Sequence, residues 1–252
     1  KRERLTMNDA VFQEALSFAR QLSSTRSPYA LCSALEIEVI SDKQMHNDGY
    51  LVCEDGCKLI FVSANVQNTH RQKFIVSHEI GHFLLHQGQL YCCANISEGE
   101  ISSINTSAQE SEANRFASEF LLPQAQLASL IPSKSLHFSD ISRIANYFDV
   151  SMTFSAIRAV QASNTEDEIL ICYDKQKLKW FASADRTLHF RDIPSNCPVD
   201  LSTALPTVDV VGIWDSLYEG TVHQEIFNPY ANQRLVLLSG IRINAEEGYY
   251  ES

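Results

Sequence analysis

His78-Glu79-Ile80-Gly81-His82 places two imidazoles four residues apart within 71–87, a stretch with the character of a helix. On an α-helix that spacing leaves the rings about 40° apart around the axis and one turn apart along it, so both can reach one metal ion. Glu79 projects at a neighbouring angle, where it can touch water at the metal without ligating the ion. Such a set suits zinc-assisted hydrolysis of a peptide bond. The ion makes water nucleophilic and polarises the scissile carbonyl, while Glu79 takes the proton and later passes it to the leaving amine. A surface helix that happens to carry two histidines is the plain alternative, and it gives Glu79 no task.

A catalytic zinc takes three protein ligands and keeps a position open for water. The next helical stretch, 109–122, offers Glu110 and Glu112. Glu110 shares a stripe with Ala113, Ala117 and Leu121, an apolar face whose small residues permit close approach to another helix. Glu112 shares its stripe with Arg115 and Glu119, a charged face expected in solvent. Glu110 is therefore the expected third ligand, and Glu112 is expected to point away. As an acid in a first helical turn, Glu110 also has an ordinary use in complementing the helix dipole. His86, one further turn along the first helix, is read as supporting the site rather than ligating the metal.

The elements that must position these groups follow from periodicity. Helices are predicted over 7–22, with Asn8 as N-cap and Val11, Ala15, Leu16 and Ala19 as its apolar positions, and over 29–34. Strands are predicted at 36–40, 50–53 and 58–63, the last two joined through Glu54-Asp55-Gly56 as a hairpin. The stretch 91–107 reads as a loop. Pro123 stops the second motif helix, and shorter helices are expected at 124–130, 140–148 and 153–161. Beyond the polar run 163–167, strands are expected at 168–173, 178–184, 208–213 and 234–239. The chain is thus an α+β protein with two domains, 1–163 and 164–252.

With 252 residues and 44% apolar content the chain can bury a substantial core, and it contains no apolar run near the ~20 residues that span a bilayer. No apolar stretch follows the basic start, although Lys1 is not an initiator Met, so the natural start can lie upstream. Seven cysteines without framework spacing fit free thiols in a reducing compartment, hence a cytoplasmic location. A net charge of −11 argues against general binding to duplex DNA.

The two motifs, HEIGHFLLH and ESEANRFASEFLLP, resemble those of the ImmA/IrrE-type zinc metallopeptidases. In that family HExxH with a trailing Leu-His is followed by ExxANxFA running into Leu-Leu-Pro. Glu110, Ala113, Asn114, Phe116 and Ala117 fall on the second motif and Pro123 on its end. The lead-in, KLIFVSAN to RQKFIVSHEIGH, is also similar, and the likeness extends over roughly residues 5–160. The resemblance implies a zincin-like domain in which a small sheet packs on the HExxH helix, with helices after it. It implies zinc as cofactor. It further implies a protein substrate, a helix-turn-helix repressor whose cleavage releases stress, mobile-element or defence genes. Some members carry a GAF-like sensor domain after the peptidase, which is the expectation for 164–252, with a nucleic acid, a small molecule or a protein as activator.

Two further features bear on control. Cys92 and Cys93 lie between the second histidine and Glu110, and a thiolate there could occupy the water position and hold the enzyme inactive; ordinary loop thiols are the alternative. Cys53 and Cys57 read as simple strand residues beside a turn. The stretch 144–159 has some helix-turn-helix character, but Asp149 and Ser155 sit where glycine and an aliphatic residue are usual, so a packed helical hairpin is expected. A non-enzymatic regulator that binds a repressor or antitoxin through a metal-stabilised fold is the competing function.

Overall fold

The computed structural model describes residues 9–54, 56–86, 108–163, 167–200, 206–229 and 232–243, with the backbone alone of 91–93 and 230. The chain is α+β. It divides into two compact units, one containing residues up to Pro123 with Phe148–Ser151, the other Gln124–Tyr147 and the chain from Met152 onward. No helix among the described residues is long and apolar enough to cross a membrane.

The first unit begins with α1 (Asp9–Leu22) and α2 (Pro28–Ala34). The expected N-cap, Asn8, lies outside the described residues. Along α1 the buried stripe is Phe12, Leu16 and Ala19, whereas Val11, expected on that face, is 47% exposed. Ser27 caps α2 by accepting from the Ala30 amide, and Pro28 fills the first position, where its missing N–H costs nothing. Strands β1 (Glu38–Asp42), β2 (Gly49–Glu54), β3 (Cys57–Ser63) and β4 (Tyr91–Cys93) form a sheet in the order β1-β3-β2-β4. β1 runs parallel to β3, and the hairpin β2–β3 is antiparallel as expected.

β4 lies inside the stretch expected as a loop. Pairing with β2, not local propensity, makes it a strand, with Cys92 opposite Tyr50 and Cys93 opposite Gly49. Residues 94–107 and the side chains of Cys92 and Cys93 lie outside the described residues.

The motif helices are α3 (Thr69–Leu85) and α4 (Ala108–Leu121). Asn68 caps α3 by accepting from the Arg71 amide at 3.1 Å. Every residue from Phe74 to His82 is buried, so α3 is an interior helix touching β2, β3, α1, α2 and α4. That burial makes the sites on it dry and fixed.

The second unit holds α5 (Gln124–Ala128), most of α6 (Phe138–Phe148), α7 (Met152–Gln161) and β5 (Glu168–Asp174) to β9 (Gln233–Arg242). β6 (Lys177–Ser183), β7 (Thr207–Val211) and β8 (Tyr218–Tyr230) complete an antiparallel sheet ordered β6-β5-β9-β8-β7. Ile169, Ile171 and Tyr173 of β5 pack with Trp214, Tyr218, Val236 and Leu238. α7 packs against β5 and β6, and its residues Thr153–Ile157, Ala159 and Val160 are buried. β8, the longest strand, was not expected. Its sequence is polar, contains Gly220 and Pro229, and becomes a strand through pairing with β7 and β9 on its two sides.

Candidate metal centre

Three ligand-type groups of the first unit come together: His78 and His82 on α3, and Glu110 in the first turn of α4. The two Nε2 atoms lie 3.0 Å apart, and the Glu110 carboxylate oxygens stand 3.2 Å from His78 Nε2 and 3.4 Å from His82 Nε2. These separations match the edges of a tetrahedron around zinc, about 3.3 Å for Zn–N near 2.0–2.1 Å. Both imidazoles are buried, while the Glu110 side chain is 31% exposed. Burial alone would raise the Glu110 pKa, but the His78 and His82 rings beside it hold the carboxyl well below its ordinary range.

The remaining ring atoms decide what the converging atoms carry. His78 Nδ1 donates to Asn114 Oδ1 at 2.8 Å, which leaves Nε2 of the neutral ring with a lone pair. On the other side, His86 Nε2 donates to Glu112 Oε2 at 2.9 Å, and burial holds the His86 pKa below its usual value despite the pull of Glu112. His86 Nδ1 lies 3.1 Å from His82 Nδ1, so one of these two nitrogens donates to the other, and donation by His82 turns its Nε2 lone pair toward Glu110. His78 Nε2, His82 Nε2 and the Glu110 carboxylate face one another; a proton or a cation among them satisfies the contacts, and this donor set fits a zinc-class ion.

Glycine shapes the surroundings twice. A Cβ at Gly81 would stand 3.1 Å from Ala113 Cα and 3.2 Å from its carbonyl oxygen, so the absence of a side chain brings α4 against α3. A Cβ at Gly49 of β2 would collide with Ile75 Cγ2 and come 3.3 Å from Glu79 Oε1. Gly49 thus makes room for Glu79, which is fully buried.

Residues 32–159, about half of the chain, match the family described as the IrrE N-terminal-like domain, peptidase M78. The chain belongs to this family. Among relatives of the IrrE-like domain, an uncharacterized immunity region protein 2 of Bacillus phage phi105 is 29% identical over 142 residues. That alignment takes in 49% of this chain and 85% of the relative. Metallopeptidase ImmA of Bacillus subtilis (strain 168) is 24% identical over 130 residues, covering 50% of this chain and 70% of that protein. In overall fold the chain is similar to a Mycobacterium tuberculosis transcriptional regulator, with a TM-score of 0.54 and 15% identity. That likeness covers 92% of this chain and 76% of the regulator.

Within the IrrE-like domain the expected placement of Glu112 needs correction. It does not point into solvent but reaches His86 just past the end of α3. Its stripe-mates are also occupied: Arg115 pairs with Asp9 and lies over the Phe12 ring, and Glu119 sits beside Arg20. The stripe borders α1, which a helical projection of α4 alone does not reveal. Asn114 was visible only as a motif residue, and its hydrogen bond to His78 gives it a physical role.

Proposed function

We propose that the chain is a zinc-dependent endopeptidase that cuts one specific protein, a helix-turn-helix transcriptional repressor. The observation that carries this reading is the convergence of His78 Nε2, His82 Nε2 and the Glu110 carboxylate, next to a buried Glu79. His78, His82 and Glu110 are the proposed ligands. A zinc ion held there supplies electrophilic polarisation of the scissile carbonyl and a readily deprotonated water. Glu79 is the general base: it takes the water proton and returns it to the leaving amine. The dry surroundings of α3 strengthen each of these electrostatic interactions.

The substrate class rests on the family resemblance and on the likeness to a phage immunity region protein. The free thiols Cys32, Cys53, Cys57, Cys172 and Cys197 fit a chain that works in a reducing cytoplasm. The peptidase portion is taken as 1–163, which the family match ending at 159 supports, and 164–252 as an α+β regulatory portion of GAF-like type. One of Cys92 and Cys93 is kept as a candidate inhibitory zinc ligand; replacing each with serine should raise basal cleavage.

The test is Glu79→Gln assayed against a candidate helix-turn-helix repressor that the parent chain cleaves. The variant should keep its fold and its zinc yet lose cleavage by a factor of about 10²–10⁴, as expected for a general base. A variant that releases transcription as well as the parent does would favour a non-proteolytic regulator.

A further inference from the structure

A second group of ligand-type atoms lies in the second unit, where His137, His223 and Glu225 offer atoms all within 4.8 Å of one another. The positions follow from the fold. His223 and Glu225 are two apart on β8 and so share one face of the sheet. Phe227 continues that face and packs on Phe138, the first residue of α6, which brings His137 over the strand. Asp209 of β7 is paired directly with His223 in the β7–β8 ladder.

The hydrogen bonds leave specific atoms for a ligand. Glu225 Oε2 accepts from the Phe138 amide at 2.8 Å, so the carboxylate is held and its other oxygen faces the two rings. His137 Nδ1 stands 2.5 Å and His223 Nε2 3.2 Å from that Oε1. His223 Nδ1 lies 2.7 Å from Asp209 Oδ1, and a carboxylate only accepts, so the ring proton sits on Nδ1. With one proton on the ring, Nε2 turns a lone pair toward a carboxylate oxygen. Only a cation between them, or a second proton on the ring, satisfies that contact. Carboxylate to His Nδ1, with Nε2 toward the ion, is the arrangement by which proteins orient metal-ligating histidines.

We propose that His137 Nδ1, His223 Nε2 and Glu225 Oε1 form a second site for a divalent transition metal of the zinc class, oriented by Asp209. Binding would open the 2.5 and 3.2 Å contacts to tetrahedral edges of about 3.3 Å, and the three atoms already lie within 4.8 Å of one another. The Glu225 side chain is 11% exposed, while His137 and His223 are 43% and 30% exposed, so the ion keeps a side open to solvent. Bound there, it ties the start of α6 to β8. The site is independent of the centre on α3.

Counting zinc in the chelator-stripped, reloaded full chain tests this. The parent should hold two equivalents, and His223→Gln should hold one. His78→Ala/His82→Ala should also retain one equivalent, with a melting temperature that zinc still raises, and Asp209→Asn should weaken that remaining ion roughly tenfold. A parent whose single equivalent is lost in His78→Ala/His82→Ala, or a second equivalent that survives His223→Gln, overturns the site and leaves the second proton as the occupant. Should His223→Gln fail to fold, the His78→Ala/His82→Ala chain decides alone: no retained zinc and no zinc-dependent rise in melting temperature overturn it. Loss of zinc from the first centre only would instead count against the peptidase reading.

Discussion

Gly81 of α3 lies in direct contact with the backbone of Ala113 in α4, and Glu110 stands one turn before Ala113 on the face so brought near. Replacing Gly81 with alanine gains about 1 kcal/mol of helix propensity. Against that, the added methyl meets backbone at 3.1 Å and must push α4 away, with overpacking costs of about 1–3 kcal/mol. The expected outcome is a lower melting temperature, together with weaker zinc binding as Glu110 recedes. Thermal melts with and without zinc check this; an unaltered melt and affinity would contradict the tight crossing.

Asn114 sets the proton of His78. Removing its side chain frees the ring to turn and to change tautomer, and such supporting contacts carry about 10–100-fold in metal affinity. Asn114→Ala should lose zinc affinity within that range while its far-UV circular dichroism stays unchanged. Asn114→Asp, which still accepts from Nδ1, should recover most of the loss. Equal affinity in all three chains would remove the role.

Glu110 and Glu112, two residues apart, should separate cleanly. Glu110→Ala removes a ligand and should abolish stoichiometric zinc. Glu112→Ala removes only the group that orients His86, and through it His82, so it should weaken zinc about tenfold without abolishing it. Isothermal titration on both variants reads the difference, and the reverse order of effects would show that the wrong glutamate had been assigned.

Asp149 gives a pH-dependent check away from the metal. Its carboxyl is held below its ordinary value, first by Lys73 and also by His70, which tie the turn at 148–151 to α3. A depressed folded pKa means stability that is present above the unfolded value, about 4, and lost as pH falls through the lower folded value. The side chain is 71% exposed, so solvent screening limits the contribution to about 0.5 kcal/mol. Asp149→Asn should cost that much at pH 7 and nothing near pH 2. The residue also has φ +54°, which asparagine tolerates and alanine does not, so Asp149→Ala should cost about 1 kcal/mol more at both pH values. Urea melts at the two pH values measure both terms.

Much of the first unit was legible because its information is local. Periodicity marks α1, α3 and α4, and Pro123 marks an end. The stripe Ala113, Ala117 and Leu121 also told Glu110 from Glu112 as the residue facing the histidines. What stayed hidden depends on partners distant in sequence. β4 and β8 are strands because neighbours pair with them. Glu112 left solvent because α1 and the end of α3 close over its stripe. His137, His223 and Glu225 come together although 85 residues of chain separate the first two, a juxtaposition that no motif spacing encodes.

Anomalous diffraction at the zinc edge, from crystals grown with zinc, addresses the account most directly. It predicts a peak about 2.0–2.2 Å from His78 Nε2, His82 Nε2 and a Glu110 oxygen, with the Glu79 carboxylate near the remaining position. A map with no peak between the two rings, or one in which Glu110 turns out to solvent while the ion binds elsewhere, would contradict it.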